Sequence, residues 1–521
     1  MAPSDKAFET AVATEGSLKD VIYDADDELL AQLGYRPELK RNFSVLEMFG
    51  IAFSIMSLLP SLASTMTYGL QGGSIGMTWG WLVPSMFVLS VGMAMGELGS
   101  ALPTSGGLYW WTFRFSPEKI RKPLSFLIGY SNTLGLIGGV CSITYGFSTM
   151  VMSIPAISNP SFVPNDYQRY GVFVGGLLLE VLVISIGTRF ISKLQSFCII
   201  LNLIAILVTV IALPIGLGTK NMNSAKYVFT DTTVYSEWPK GWAFFMSWLS
   251  AIWTMGGLDS CVHMAEEASN AAKAVPLGII LSVLMCGILG LGLSSVIAAC
   301  IPDFSAVLNN QYGQPMAAVY MTALGRDWTI AMMVLIAVIQ FFMGISITLA
   351  ASRQCWAFSR DGALPFSRWI RVVNTKLGVP TRALWFSAFC AGVIGLLCMI
   401  NQAAAIALFS LGVSGNSLAW MTPILCRAIW FKKDEFTPGP FYLGHTLSRI
   451  NCFIASIYLI FVIAILTMFP TAGPNVTAET MNYTCVISGF VWFGSLAYYA
   501  VAARKWFTGP KTTLDVLVEE I

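Results

Sequence analysis

Charge is what this sequence is short of. Only 11% of its 521 residues are Asp, Glu, Lys or Arg, while 55% are hydrophobic; a soluble globular domain carries roughly 25% charged residues. Histidine is scarcer still. His263 and His445 lie far apart in the chain, which argues against a histidine-based metal centre. The eleven cysteines are scattered through apolar stretches and form no CxxC pair, so they read as small buried apolar side chains rather than a disulfide framework or a thiolate site. There is no HExxH, no GxSxG and no clustered histidine to support a membrane enzyme. The absence of GxxxxGK[ST] argues against an ATP-driven pump powered by this chain alone. No repeated filter or charged ring marks a channel. Net charge is +2, and no basic run follows a nucleic-acid-reading motif, so nucleic acid drops out as a partner. The first 45 residues are polar and acid-rich, without the apolar core of a cleavable signal peptide, which leaves the run from Leu46 to direct insertion.

What the chain has instead is apolar runs of about 20 residues, recurring from Leu46 to Tyr499 with a mean hydropathy of +0.68. It reads as an all-α polytopic membrane protein. Twelve transmembrane helices are expected, at 46–69, 77–101, 124–154, 170–187, 190–214, 241–265, 275–301, 329–352, 383–400, 403–427, 449–469 and 480–503. An even number puts both termini on one side, and basic residues choose the side. Arg114, Lys119, Arg121 and Lys122 crowd one loop, Arg353 to Arg382 a second, and Arg427, Lys432, Lys433 and Arg449 a third. The alternate loops hold only Arg169, Lys220, Lys226, Lys240 and Arg326. Both termini are therefore expected in the cytoplasm, with plasma and vacuolar membrane equally compatible. Sequons at Asn475 and Asn482 fall at or beside the external loop 470–481; Asn475 is open to glycosylation there, and Asn482 lies too close to the membrane.

One stretch organises the rest. From Ala251 the chain reads as an apolar helix until Gly256-Gly257, where backbone entropy favours unwinding. Asp259 follows inside what should be membrane, where a carboxylate is a functional candidate by default. Two readings stay open for it. It can bind a substrate amine or exchange a proton, and it can cap the helix that follows by accepting a backbone N–H two or three residues on. The first span carries a matching weak patch at Ser54, Ile55, Met56 and Ser57, followed by Pro60. Either patch alone can be a simple kink. Five spans apart and running in opposite directions, the two suit an inverted 5+5 repeat with paired broken helices. The expected division is a tail at 1–45, repeat 1 at 46–214, an external loop at 215–240, repeat 2 at 241–427, two further spans at 449–503 and a tail at 504–521.

Around the breaks, Ser54, Ile55, Met56 and Ser57 of the first and Trp253, Thr254, Met255, Gly256, Gly257 and Asp259 of the second are candidates to bind the substrate, with Tyr145, Ser142, Gln340, Ser346 and Asn416 as possible lining; the side chains among them can equally be packing or interhelical hydrogen bonding. Glu97, Glu266, Glu267, Arg353, Arg360 and Asp361 fall near the same inner face. They are read either as a gate of paired charges or as ordinary interfacial charge.

Three motifs carry a family resemblance. Gly96 to Trp111 (GELGSALPTSGGLYWW) resembles the second-span signature of amino acid–polyamine–organocation permeases. Gly256-Gly-Leu-Asp259 through Glu266-Glu267 to Pro276 resembles that superfamily's broken sixth span, and Ser352 to Pro365 its loop after the eighth. Within the superfamily the chain is most similar to the fungal amino acid/choline transporter group, GABA permeases above all. This similarity rests on Glu38 to Ser44, Phe49 to Met56, Asp259 to His263, Phe436 to Gly444 and Thr480 to Tyr483. The resemblance implies a LeuT-type fold and secondary active uptake, usually proton-coupled, of a small amine or zwitterion, with no cofactor. Many members carry a lysine in the fifth span, seven residues after a glutamine. Counting from Gln195 that position is Asn202, and the nearest lysine is Lys193. The coupling proton is then left to Asp259 or Glu97, or the carrier runs uncoupled. The function expected is a permease for GABA or a related amino acid, with choline, polyamine, thiamine or biotin-precursor permease as the alternative in the same group. A transporter-like nutrient sensor is the alternative of another class.

Overall fold

A computed structural model describes residues 25–511, apart from 36–40, 42, 160, 187, 375–378, 401, 431–435, 471–472 and 479. Most of the two tails, part of the motif at Glu38 to Ser44, and Lys376, Lys432 and Lys433 lie outside the described residues. The long helices and the pieces of the two interrupted segments are labelled in order: α1 (Val45–Met56), α2 (Leu58–Gln71), α3 (Gly73–Ala101), α4 (Gly107–Phe115), α5 (Arg121–Ser158), α6 (Asp166–Ile184), α7 (Thr188–Leu217), α8 (Lys240–Ser247), α9 (Leu249–Thr254), α10 (Ser260–His263), α11 (Ala271–Ala299), α12 (Arg326–Arg360), α13 (Thr381–Gly395), α14 (Gln402–Trp430), α15 (His445–Phe461) and α16 (Thr484–Val501).

Among the described residues, eleven helical segments are long and apolar enough to cross a membrane, one of them being α1 and α2 together. They fall where the expected spans fall, with one exception. The segment expected at 241–265 is not a single long helix. It is a chain of short pieces, α8, α9, a 3-10 turn at Met255–Gly257, α10 and a second 3-10 turn at Ala265–Glu267. The Gly-Gly pair explains the first interruption through its backbone freedom.

Local chemistry starts several of these helices. Ser44 and Glu47 form a reciprocal capping box at α1, and Asn165 and Gln168 do the same at α6. At Ser57, between α1 and α2, φ is +24°, and the Ser57 hydroxyl donates to the Ser54 carbonyl at 2.6 Å. That bond satisfies one carbonyl that the interrupted helix leaves without its usual partner. Between α2 and α3 the chain turns at Gly73, where φ is +70° and a Cβ would fall 1.9 Å from the Thr233 carbonyl oxygen, so only glycine fits.

Burial sorts the helices into interior and rim. In α14, 83% of the apolar window is buried, against 17% in α16, which places α14 inside and turns α16 outward. The helix α5 packs against α12 and α14, and α11 packs along α3 and α1. The interrupted segments run between these pairs, with α9 against α2 and α10 against α1 and α12.

Candidate functional site

The two breaks touch. A Cβ on Gly257 would lie 2.2 Å from the Ile55 Cγ2 atom, so Gly257 is what lets the second interrupted segment meet the first. Gly256 is the opposite case, with nothing within 4 Å of the place its Cβ would take. It borders a cavity of about 30 Å³ walled by Ile55, Trp253, Gly256, Gly257, Asn416 and Trp420, together with Met343 and Ile347 of α12. That is room for two or three waters at roughly 10–15 Å³ each. Trp253 is fixed by its indole N–H, which donates to Ser142 at 3.0 Å, and by Phe409, whose ring centroid is 5.0 Å away.

Of the residues expected to line a pocket, Ile55, Trp253, Gly256, Gly257 and Asn416 are in that wall. The others are occupied elsewhere. Ser54 shares a hydrogen bond with Ser346, which also receives one from Gln195. Thr254 donates to the Ser250 carbonyl, and Gln340 to the Ile143 carbonyl. Tyr145 packs edge-on against Phe409. Met56 and Met255 are buried in the apolar core. Asn202, seven residues after Gln195, is buried with both amide atoms lacking partners.

Asp259 is fully buried and precedes α10, but it makes no side-chain cap. The capping reading is corrected on this point: its backbone is itself helical (φ −73°, ψ −11°), and the carboxylate reaches across to α5. Its Oδ2 accepts from the Asn132 amide at 3.0 Å, and that amide also lies 3.4 Å from the Asn416 Oδ1 atom. Asn416 in turn approaches the Gly256 carbonyl at 3.5 Å, which joins the acid to the cavity wall. The His263 Nε2 atom stands 3.6 Å from the Asp259 Oδ2 atom, and its Nδ1 lies 3.1 Å from the Ser105 carbonyl oxygen.

The charges beyond α10 pair tightly. Glu267 accepts from the Arg353 Nε at 2.8 Å, and Glu266 meets Arg360 at 3.3 Å while also accepting the Ser105 N–H at 3.0 Å. Arg360 lies over the rings of Tyr35 and Trp356. Asp361 accepts from the Tyr109 hydroxyl at 2.6 Å and from the Lys511 N–H at 3.0 Å. Burial raises its carboxyl to about 6, against the opposing pull of Arg360 and Tyr109. Glu97 does not belong to this ring. It is held by Arg427 at 2.6 Å, by Ser448 and by the Leu443 N–H, which clamps α3 to α14, α15 and the preceding loop. Its place near the end of α3 made it look adjacent to Glu266, but it faces a different pair of helices.

Three buried polar groups escaped the sequence reading. Asn132 and the His263 contact to the Ser105 carbonyl depend on positions more than a hundred residues apart, which no local pattern reveals, whereas the four-residue spacing of Asp259 and His263 was there to be read. Glu180 was within reach as a lone acid in an apolar run. It is fully buried in α6, accepts from Thr144 and Thr348, and sits where a Cβ on Gly344 would strike it. Among the described residues no group of three or more His, Cys, Asp or Glu side chains could hold a metal ion.

Comparison with known proteins gives the family. A family profile described as amino acid permease matches residues 43–491. The chain is 44% identical over 495 residues to a GABA-specific permease of Saccharomyces cerevisiae, covering 94% of this chain and 86% of that one. It is 35% identical over 500 residues to an uncharacterized amino-acid permease of Schizosaccharomyces pombe, covering 94% and 91%. A second such permease of that organism is 34% identical over 511 residues, covering 97% and 90%. Extended over nearly the whole of each protein, these likenesses make the chain a transporter rather than an enzyme, and it belongs to the amino acid permease family.

Proposed function

We propose that this permease imports a small zwitterion, GABA or a related amino acid, by proton symport and alternating access. The observation that carries the reading is the meeting of two interrupted helices, at Ser57 and at Met255–Gly257, beside a cavity with a buried carboxylate one turn beyond. Interrupted backbone supplies both polarities that a zwitterion needs: N–H groups at the start of a half-helix for the carboxylate, and unwound carbonyls for the amine. Ile55, Trp253, Gly256 and Gly257 form the cargo wall, and Asp259 beneath them carries the coupling charge. Substrate identity rests on the likeness to a protein named a GABA-specific permease.

In this reading, 240–267 is the sixth of twelve crossings. Residues 46–214 and 241–427 are the two inverted repeats, both tails are cytoplasmic, and the Glu266–Arg360 and Glu267–Arg353 pairs are the inner gate. The membrane is the plasma or the vacuolar one. The test is radiolabelled GABA uptake at pH 5 and pH 7.5 in cells lacking their own permeases, with Asp259→Asn beside the parent. Saturable uptake is expected, several-fold stronger in acid and lost in a correctly located Asp259→Asn protein. A parent protein that reaches the membrane and moves no GABA at either pH refutes the assignment, and choline, polyamines, thiamine and biotin precursors are then the cargoes to try.

A further inference from the structure

We infer that Asp259 and His263 share one proton, and that this buried pair is where the coupling proton is carried. The inference rests on the proton-symport reading above and names the residue that completes it. A carbonyl oxygen can only accept, so the ring nitrogen beside the Ser105 carbonyl, Nδ1 at 3.1 Å, must carry hydrogen. In the neutral ring the other nitrogen, Nε2, is then a bare lone pair. It faces the Asp259 Oδ2 atom at 3.6 Å, and an ionised carboxylate is also an acceptor. Two acceptors thus confront each other in a site where both side chains are fully buried. Neither His263 Nε2 nor Asp259 Oδ1 has another partner. A single added proton resolves the conflict, either as an imidazolium beside a carboxylate or as a neutral acid donating to Nε2. Leaving buried polar atoms unmatched costs free energy, so the pair is built to take that proton up.

The surroundings leave the proton to these two groups. The helices α5 and α14 face the acid with the uncharged amides of Asn132 and Asn416. On the same turn the Cys261 thiol points to the Met48 carbonyl of α1 and lies against Gly278 of α11. From α12 comes Arg353, which is engaged by Glu267. Glu266 is bound to the N–H of the residue whose carbonyl holds the histidine, and to Arg360. Among the described residues no Lys or Arg forms an ion pair with Asp259 or His263. Ser105 therefore touches the proton site through its carbonyl and the inner ion pair through its amide, which ties occupancy of the pair to the gate.

The chain has only two histidines, so ring-labelled protein reads the site directly. Full-length protein with 15N-histidine in lipid nanodiscs, carrying His445→Gln to leave one ring, is titrated from pH 8 to pH 5. The expected result is the neutral Nδ1–H form with a bare Nε2 at high pH and, in acid, an Nε2 that either bears hydrogen or accepts one from the Asp259 acid, two states told apart by its 15N shift; with Asp259→Asn that shift does not change over the range. A neutral ring bearing its hydrogen on Nε2 at high pH, or an Nε2 whose 15N shift does not change across the range, overturns the inference without any substitution at His263. In parallel, proteoliposomes holding a pH dye report protons moved with GABA. His263→Gln is expected to lose most of the several-fold acid stimulation shown by the parent. Equal stimulation in His263→Gln overturns the inference and transfers the role to another buried carboxyl such as Glu180. A parent that moves no GABA refutes the import reading instead, and the ring titration still decides the pair.

Discussion

Gly256 and Gly257 are adjacent and have opposite surroundings, so they separate packing from function at the scale of one methyl group. At Gly257 a Cβ would meet both Cγ2 and Cβ of Ile55, at 2.2 and 2.8 Å. Gly257→Ala is expected to cost about 1–3 kcal/mol by overpacking, with stability partly restored when Ile55→Ala is added. At Gly256 there is open space, and the methyl projects toward the cavity. Gly256→Ala should leave thermal stability within about 0.5 kcal/mol of the parent, while raising the KM for cargo roughly tenfold, the scale of one methyl group in a fitted pocket. Melting curves and uptake kinetics on both variants check this; a stable, fully active Gly257→Ala protein would sink the account of how the breaks meet. At this scale the sequence disclosed the glycines and Asp259, because each is chemically out of place in an apolar run. It could not disclose that Asn132 would claim the carboxylate, or that Ser54 and Gln340 would turn to other helices, since those bonds join positions distant in the chain.

Elements interrupted in the membrane must be held by something other than their own ladder, and here buried ion pairs do much of it. Glu267 follows α10 in a short turn and is tied to Arg353 in the middle of the long, buried part of α12. Phe43, just before α1, accepts from the Ser269 N–H and donates its own N–H to the Glu267 carbonyl, so the start of the first broken region is stitched to the end of the second. Glu267→Gln leaves the Arg353 charge buried without its counterion, and breaking such a pair costs about 3–5 kcal/mol. The expected outcome is a sharply lower melting temperature and loss of uptake, with the doubly changed Glu267→Gln, Arg353→Gln protein more stable than Glu267→Gln alone. If the double variant is the less stable of the two, the buried charge is not what the pair neutralises. The first break was legible because Ser, Ser and Pro cluster where a helix would need donors. The fragmentation continuing past Gly257 to Glu267 was not, because Cys261, Val262 and Met264 are compatible with helix and only their packing between α1, α11 and α12 decides against it.

Across the whole molecule, residues near both limits of the described chain meet on the same face as these pairs. Tyr35 of the N-terminal region lies under Arg360, and at the other end Phe507 is buried and the Lys511 N–H reaches the Asp361 carboxylate. The hydropathy of the spans was plain in the sequence; this docking of polar tails was not, since it depends on a surface assembled from four separate segments. Asp361 reports on it through pH. Its carboxyl is fully buried and raised from 3.8 to about 6, so between those values the folded protein holds a proton that the unfolded chain releases. The sign follows: the contribution is complete below about pH 4 and is lost as pH rises through 6. At about 1.36 kcal/mol per unit, the swing amounts to roughly 3 kcal/mol at most. Asp361→Asn cannot ionise, yet its amide can still accept the Lys511 N–H and donate to Tyr109. Relative to this variant, the parent should lose stability between pH 4 and pH 6.5 and run parallel to it above that range. Melting temperatures of both proteins across the series check the claim, and curves that stay parallel throughout would mean that Asp361 holds the same charge in the folded protein and the unfolded chain.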